Sequence, residues 1–351
     1  MRRLTVLFVT AALVVAACSS SSATTAPTTA VSGADPATTQ PTTHPTDGQP
    51  ATTEPVTTEP VTTEPVTTQP PTTEPVTTDP ATTESSVDDT VPADRPFEVY
   101  VPTTYDDAVP APLVVLLHGY SASGAIQDGY FGLQPVAEQR GFLYVHPDGT
   151  TNAVGKQFWN ATNACCGFGS SVDDSAYLMA VIHQVERDYN VDRKRIFLMG
   201  HSNGGFMSYR MACDHADTIA AIVSLAGATF AQTEKCEPSE PVSVLQIHGS
   251  ADETIHYDGG EILSEAYPSA AATVATWAGY DRCGADSVTS GETFDIAAQI
   301  VGAETSVETF PRCPAGIDVE LWTVAGGPHV PALTPTFATE AIDFLLSHPK
   351  R

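Results

Sequence analysis

The chain has 351 residues, 42 of them acidic and 15 basic, for a formal net charge of −27. Acidity on that scale makes nucleic acid and anionic membrane surfaces poor partners. Not all of the chain has the composition of a packed domain, so length alone overstates the core.

Met1-Arg2-Arg3 is a short basic segment, and Leu4 to Ala17 is an apolar stretch of about fourteen residues. Such a stretch is too short to span a bilayer comfortably and reads as a secretory signal. Its exit, Val15-Ala16-Ala17-Cys18, resembles the lipobox of bacterial lipoproteins, with Cys18 as the lipidated N-terminus after cleavage. The competing reading is an ordinary signal peptide with an incidental cysteine. Residues 1–18 are therefore expected to export the chain. Lipidation of Cys18 would tether it to the outer side of the cytoplasmic membrane or the cell surface; without lipid it would be secreted. Residues 19–94 follow as a Thr/Pro/Glu-rich linker in which Thr52-Thr53-Glu54-Pro55-Val56 and two further pentads repeat before degenerate copies. Period five suits neither helix nor strand, and a proline in each copy removes a donor, so no core forms there. At about 3.1 Å per residue in polyproline II, this spacer would reach roughly 200 Å.

Residues 95–351 remain as one domain with a substantial core. Phe97 to Val101 alternates as a strand, and Leu113 to Leu117 is an apolar run of the kind buried on both faces of a parallel sheet. It ends in His118-Gly119-Tyr120-Ser121. Gln134 to Arg140 is helical, and Phe142 to Val145 is a strand running into His146-Pro147-Asp148-Gly149. Lys156 to Gly169 is an irregular loop holding Phe158, Trp159 and the adjacent Cys165 and Cys166. Asp173 and Asp174 cap a long helix to Tyr189. After the strand Ile196–Met199 come strands at 219–225 and 242–247, a helix from Ser269, a cysteine-bounded excursion, a last strand at 319–324 and a closing helix at 336–347. Strands alternating with helices predict an α/β domain with a mostly parallel central sheet and helices on both faces, and no separate lid domain.

Of the seven cysteines, six lie in this domain: Cys165, Cys166, Cys213, Cys236, Cys283 and Cys313. An even number in an exported chain implies disulfides, in any of fifteen pairings. Cys283–Cys313 and Cys213–Cys236 are favoured, which leaves Cys165 and Cys166 as a vicinal bridge or as partners exchanged with the others. No C-x-x-C or paired-histidine spacing supports metal binding, and neither metal nor organic cofactor is expected.

The densest signal is Gly200-His201-Ser202-Asn203-Gly204, between the strand Ile196–Met199 and a helical pattern beginning near Phe206. In that strand–turn–helix setting G-x-S-x-G is a nucleophile elbow. A serine hydroxyl needs a base to take its proton, and the base needs an orienting carboxylate. In such sheets the order is Ser, then Asp or Glu, then His, at the carboxyl ends of strands. Asp252 in H-G-S-A-D and His329 in G-G-P-H meet both conditions, with Asp258 and Asp281 as rivals to the first and His248, His256 and His348 to the second. Backbone N–H groups of Asn203 and Tyr120 are the expected oxyanion donors. Trp159 and Phe158 are candidates for a ligand wall or for simple packing, and His201 lines the site with no assigned role.

With these residues in hand, the domain resembles the esterase branch that includes polyhydroxybutyrate depolymerases and bacterial feruloyl and acetylxylan esterases, in the α/β-hydrolase fold. The resemblance runs over most of Phe97 to Pro349, through L-L-H-G-Y, H-P-D-G, F-W-N-A with C-C-G, V-D-D-S-A-Y-L, G-H-S-N-G-G-F-M-S-Y-R-M-A-C, I-H-G-S-A-D and W-T-V-A-G-G-P-H. It implies the same triad, Ser202, Asp252 and His329, and a serine esterase working through an acyl-enzyme on small or polymeric esters, of plant polysaccharide or of hydroxyalkanoate oligomers; a monomer is expected. Many relatives continue past this histidine with tryptophan and proline, whereas this chain has Val330-Pro331. A peptidase or acyltransferase on the same triad, or a non-catalytic tethered binding protein, are the alternative functions.

Overall fold

The computed structural model describes residues 90–351. The segment expected to export the chain, with Cys18, and the pentad repeats lie outside the described residues. Packing reaches back slightly beyond the expected boundary at Arg95, because Val91 is already set against the core.

Nine strands form one sheet. The first, β1 (Val99–Tyr100), is shorter than the alternation suggested, and β2 (Ala111–Leu117) is buried along its whole length. Two helices follow, α1 (Gly124–Phe131) and α2 (Gln134–Arg140), then β3 (Leu143–Val145). The irregular loop contains a minor hairpin, β4 (Thr150–Thr151) with β5 (Gln157–Phe158). The long helix α3 (Asp174–Asp188) leads into β6 (Val191–His201), α4 (Asn203–Asp214), β7 (Ala221–Leu225) and β8 (Ser243–Gly249). A second minor hairpin, β9 (Gly260–Ile262) and β10 (Glu265–Tyr267), precedes α5 (Ala270–Tyr280). The chain closes with β11 (Val288–Phe294), β12 (Thr305–Thr309), β13 (Val319–Val324) and α6 (Pro335–Ser347).

The strand order is β1-β3-β2-β6-β7-β8-β13-β12-β11. The six strands from β3 to β13 are mutually parallel, while the pairings β1–β3 at one edge and β13–β12 and β12–β11 at the other are antiparallel. Apolar clusters fill both faces, one against α3, α4 and α5 and the other against α1, α2 and α6. That arrangement explains why β2, β7 and β8 read as continuous apolar runs rather than alternating ones. The cysteine-bounded excursion is not a loop: it is the antiparallel hairpin β11–β12 added to the sheet edge.

Helix starts follow the sequence chemistry. Asp173 accepts from Ala176 N–H at 3.0 Å and Ser269 from Ala272 N–H at 3.0 Å, satisfying first-turn donors. Asp174, beside the first cap, is instead buried: it accepts from Arg95 at 2.8 Å and from Asn160 N–H at 2.7 Å. This buried pair ties the start of the domain to the loop before α3. The disulfides are Cys165–Cys166, Cys213–Cys236 and Cys283–Cys313, so the favoured pairings and the vicinal alternative are the ones formed.

Candidate active site

The turn from β6 to α4 puts Ser202 at φ 54°, ψ −120°, a left-handed backbone that a serine adopts only when its surroundings force it. The forcing comes from close approach. A Cβ on Gly200 would overlap the Gly204 carbonyl, and one on Gly204 would overlap the Leu117 carbonyl of β2. Small residues on both sides are thus a steric requirement of the elbow. The reward is exposure: the flanking His201 and Asn203 are buried while Ser202 is reachable from outside.

Two loops bring the other groups to Ser202. Asp252 follows β8, and its backbone N–H is tied to Gly249 O at 3.2 Å. His329 follows β13, which pairs with β8, so the two loops rise from neighbouring strands. Asp252 Oδ2 stands 2.8 Å from His329 Nδ1, and His329 Nε2 stands 3.0 Å from Ser202 Oγ. A carboxylate only accepts, so Nδ1 carries the proton and Nε2 presents its lone pair to the serine hydroxyl. The structure therefore joins Ser202, His329 and Asp252 in one hydrogen-bonded line. Of the rivals, Asp281 caps α5 and His348 caps α6, while His248 lies beside Asp252 and supports it.

Burial by itself would raise the Asp252 carboxyl. Bonds from His248 and His329, the charge of His329 and the Thr254 N–H outweigh it and hold the group well below the usual carboxylate range. Its other oxygen accepts from Thr254 and Ile255 N–H, each at 2.8 Å. His248 is a supporting residue. Its Nδ1 accepts from Gln246 at 3.0 Å, and its Nε2 donates to Ile255 O at 2.8 Å while lying 3.4 Å from Asp252 Oδ2.

The loop after β2 packs against the elbow, with a Cβ on Gly119 falling 3.5 Å from Ser202 Cβ. His118 orders this loop. Gly149 N–H donates to its Nε2 at 2.8 Å, which leaves Nδ1 as the donor to Gly119 O at 2.8 Å. Holding that carbonyl fixes the Gly119–Tyr120 peptide plane, with the Tyr120 N–H directed to the opposite side. Asn203 opens α4, where first-turn N–H groups have no intrahelical acceptor. Sequence reasoning missed the part of His118, because a histidine at a strand end carries no mark of which carbonyl it will hold.

Trp159 and Phe158 do not face a ligand. Trp159 is 0% exposed and Phe158 4%, and the Trp159 ring lies between His118 and Tyr177. Its indole N–H donates to His118 O at 3.1 Å, so it backs the loop at Gly119 rather than lining a wall. The exposed aromatics here are Tyr120 and Phe168, with ring centroids 5.9 Å apart. Phe168 also borders a cavity of about 440 Å³, with Arg210, Phe230 and Leu263 of the β9–β10 turn in its lining. His201 is buried behind Ser202, with burial first and the nearby His329 second lowering its pKa to about 4.

A family model described as phospholipase/carboxylesterase matches residues 167–279, which include the elbow and Asp252. The chain is 28% identical over 165 residues to the bifunctional acetylxylan esterase/xylanase XynS20E of Neocallimastix patriciarum, covering 47% of this chain and 22% of that protein. It is 27% identical over 241 residues to feruloyl esterase B of Piromyces equi, covering 66% and 42%. The chain spans less than two thirds of the first curated relatives it matches: 64%, 22% and 60%. Among solved structures, an acetyl xylan esterase from Aspergillus awamori superposes with a TM-score of 0.52 at 16% identity, over 74% of this chain and 97% of that one, a likeness of fold. Sheet order and elbow are those of the α/β-hydrolase fold, and the sequence similarities are to esterases and carboxylesterases.

Proposed function

We propose that this protein is an exported serine carboxylesterase acting through an acyl-enzyme. The observation that carries the reading is the line Ser202 Oγ, His329 Nε2, His329 Nδ1, Asp252 Oδ2, with links of 3.0 and 2.8 Å. Ser202 Oγ attacks the ester carbonyl carbon while His329 Nε2 takes its proton. The ionised Asp252 holds the ring in the needed tautomer and stabilises the imidazolium. The negative oxygen of the tetrahedral intermediate is met by the N–H groups of Asn203 and Tyr120. Collapse expels the alcohol, which receives the proton from His329. Water then attacks the acyl-serine with His329 again as base, releasing the acid and restoring Ser202.

The feruloyl and acetylxylan esterases among the relatives support feruloyl or acetyl esters of plant polysaccharide as the first substrate reading, and hydroxyalkanoate oligomers, implied by the sequence resemblance, come second. Half-exposed Tyr120 and Phe168 beside the site support an aromatic or chain-like ligand. Three disulfides in the domain fit an oxidising compartment. The same reading takes residues 1–18 as an export signal, Cys18 as a lipid site, and residues 19–94 as a spacer holding the domain, 95–351, away from the membrane.

The test compares initial rates on methyl ferulate and on a 3-hydroxybutyrate trimer, with Ser202→Ala as the blank. A preference for ferulate supports the plant-wall reading, and a preference for the trimer replaces it with polyester degradation. Turnover of both esters that survives in Ser202→Ala defeats the serine mechanism.

A further inference from the structure

The reaction scheme leaves one residue of the elbow unused. His201 is 7% exposed and ends β6 immediately before Ser202. Its Nε2 lies 2.9 Å from the main-chain carbonyl of His329. A carbonyl only accepts, so Nε2 carries the proton and Nδ1 is bare. That bare side packs on the Gly119 loop, where a Cβ would stand 3.3 Å from Nδ1. The His201 ring is 5.0 Å from the His329 ring and meets the Tyr130 ring edge-on at 5.5 Å. Tyr130, on α1, reaches the same segment from another side: its hydroxyl donates to Pro331 O at 2.7 Å. The carbonyls on either side of Val330 are therefore each gripped by a different element, while Val330 itself points out, 59% exposed.

We infer that His201 and Tyr130 are positioning residues that strap the main chain around His329, so that the residue before the nucleophile sets how far the base stands from it. This rests on the reading of Ser202 and His329 given above. The loop after β13 leaves the sheet at Val324 and must deliver the imidazole within hydrogen-bond reach of Ser202 Oγ, where a 1 Å error can cost about 100-fold in rate. His201 removes much of that freedom, because its own backbone is the elbow's. It also stands between the base loop and the Gly119 loop, so one ring spaces the two halves of the site. Burial keeps this ring neutral at ordinary pH, which leaves one N–H for the His329 carbonyl and adds no positive charge beside the imidazolium that forms on His329.

The test uses the full-length chain, 4-nitrophenyl acetate as substrate, and four readouts: kcat, KM, Tm and folded fraction. His201→Phe fills the space without a donor, His201→Gln restores an N–H, and Tyr130→Phe deletes only the second anchor's hydroxyl. Leaving one buried carbonyl unpaired and the loop looser is expected to lower kcat about 10-fold in His201→Phe and about 3-fold in Tyr130→Phe, with KM within about twofold. His201→Gln is expected to recover most of the His201→Phe loss, which a purely space-filling role would not produce. The strap is overturned if His201→Phe and Tyr130→Phe keep kcat within twofold of wild type. It is equally overturned if their losses match the fall in folded fraction. Ser202→Ala and His329→Ala separate the two levels: if they retain turnover, the site reading fails and the strap with it. If they abolish turnover while the strap variants retain it, the strap alone fails.

Discussion

Trp159 and Asn203 are joined by a reciprocal pair of hydrogen bonds. Trp159 N–H donates to Asn203 Oδ1 at 2.7 Å, and Asn203 Nδ2 donates to Trp159 O at 2.9 Å. The side chain of the residue after Ser202 thus imitates a strand neighbour for the loop that also carries the Cys165–Cys166 bridge. Asn203→Ala leaves the buried Trp159 N–H without a partner, at about 1–3 kcal/mol, and its C=O with only the 3.4 Å bond from Cys166 N–H. A Tm lowered by several degrees and a kcat lowered about 10-fold on 4-nitrophenyl acetate are expected, from thermal unfolding and initial rates on the same preparation.

Phe168 and Trp159 should respond in opposite ways. Phe168 is half-exposed beside Tyr120, so Phe168→Ala is expected to raise KM for methyl ferulate several-fold while kcat stays within twofold. Trp159→Ala empties a fully buried site and should instead cost about 3–5 kcal/mol of stability in denaturant unfolding.

Asp281 makes stability depend on pH. Its Oδ1 accepts from Val242 N–H at 3.1 Å, while its buried Oδ2 has no partner. Burial pushes this carboxyl up to about 7, partly opposed by the Val242 bond and by Lys350. Between about pH 4 and 7 the folded chain keeps a proton that the unfolded chain has released, so stability falls as pH rises through that window. The loss is on the order of 4 kcal/mol. Asp281→Asn is expected to match wild type near pH 4 and to exceed it at pH 8, read as the difference in Tm between the two pH values.

The bridge Cys283–Cys313 spans a sequence separation of 30 and holds the β11–β12 hairpin beside α5. Replacing both cysteines by alanine should lower stability by about 3–4 kcal/mol, the loop-closure entropy returned to the unfolded chain. Ester turnover should persist below the new Tm, since neither cysteine touches Ser202, Asp252 or His329.

The parts legible in the sequence are those where chemistry dictates residue type and position together. Gly200 and Gly204 had to be small, and Asp252 and His329 had to follow strands in chain order, so the elbow and its partners could be found from spacing. Continuous apolar runs marked β2, β7 and β8 because both faces are covered. The hairpin β11–β12 escaped because β11 is almost wholly exposed and contains Gly291 at φ 84° within a register shift, leaving no apolar alternation to detect. The β9–β10 turn escaped because Leu263 and Ser264 adopt positive φ without glycine or asparagine to announce it. Trp159 stayed open between a ligand wall and simple packing, since an aromatic residue in a loop carries no sign of what the rest of the fold will lay over it. The strap from His201 and the hold of His118 on Gly119 depend on which carbonyl a ring meets across the fold, and local sequence does not encode that.

The most direct test of the central claim is to find where a phosphonylating ester inhibitor, such as a 4-nitrophenyl phosphonate, attaches to the full-length chain. One adduct per chain is predicted, on the peptide carrying Ser202, with esterase turnover lost in proportion to labelling and no label on Ser202→Ala or, at comparable times, on His329→Ala. Full turnover in a chain labelled elsewhere, or turnover untouched by a label on Ser202, would contradict the account.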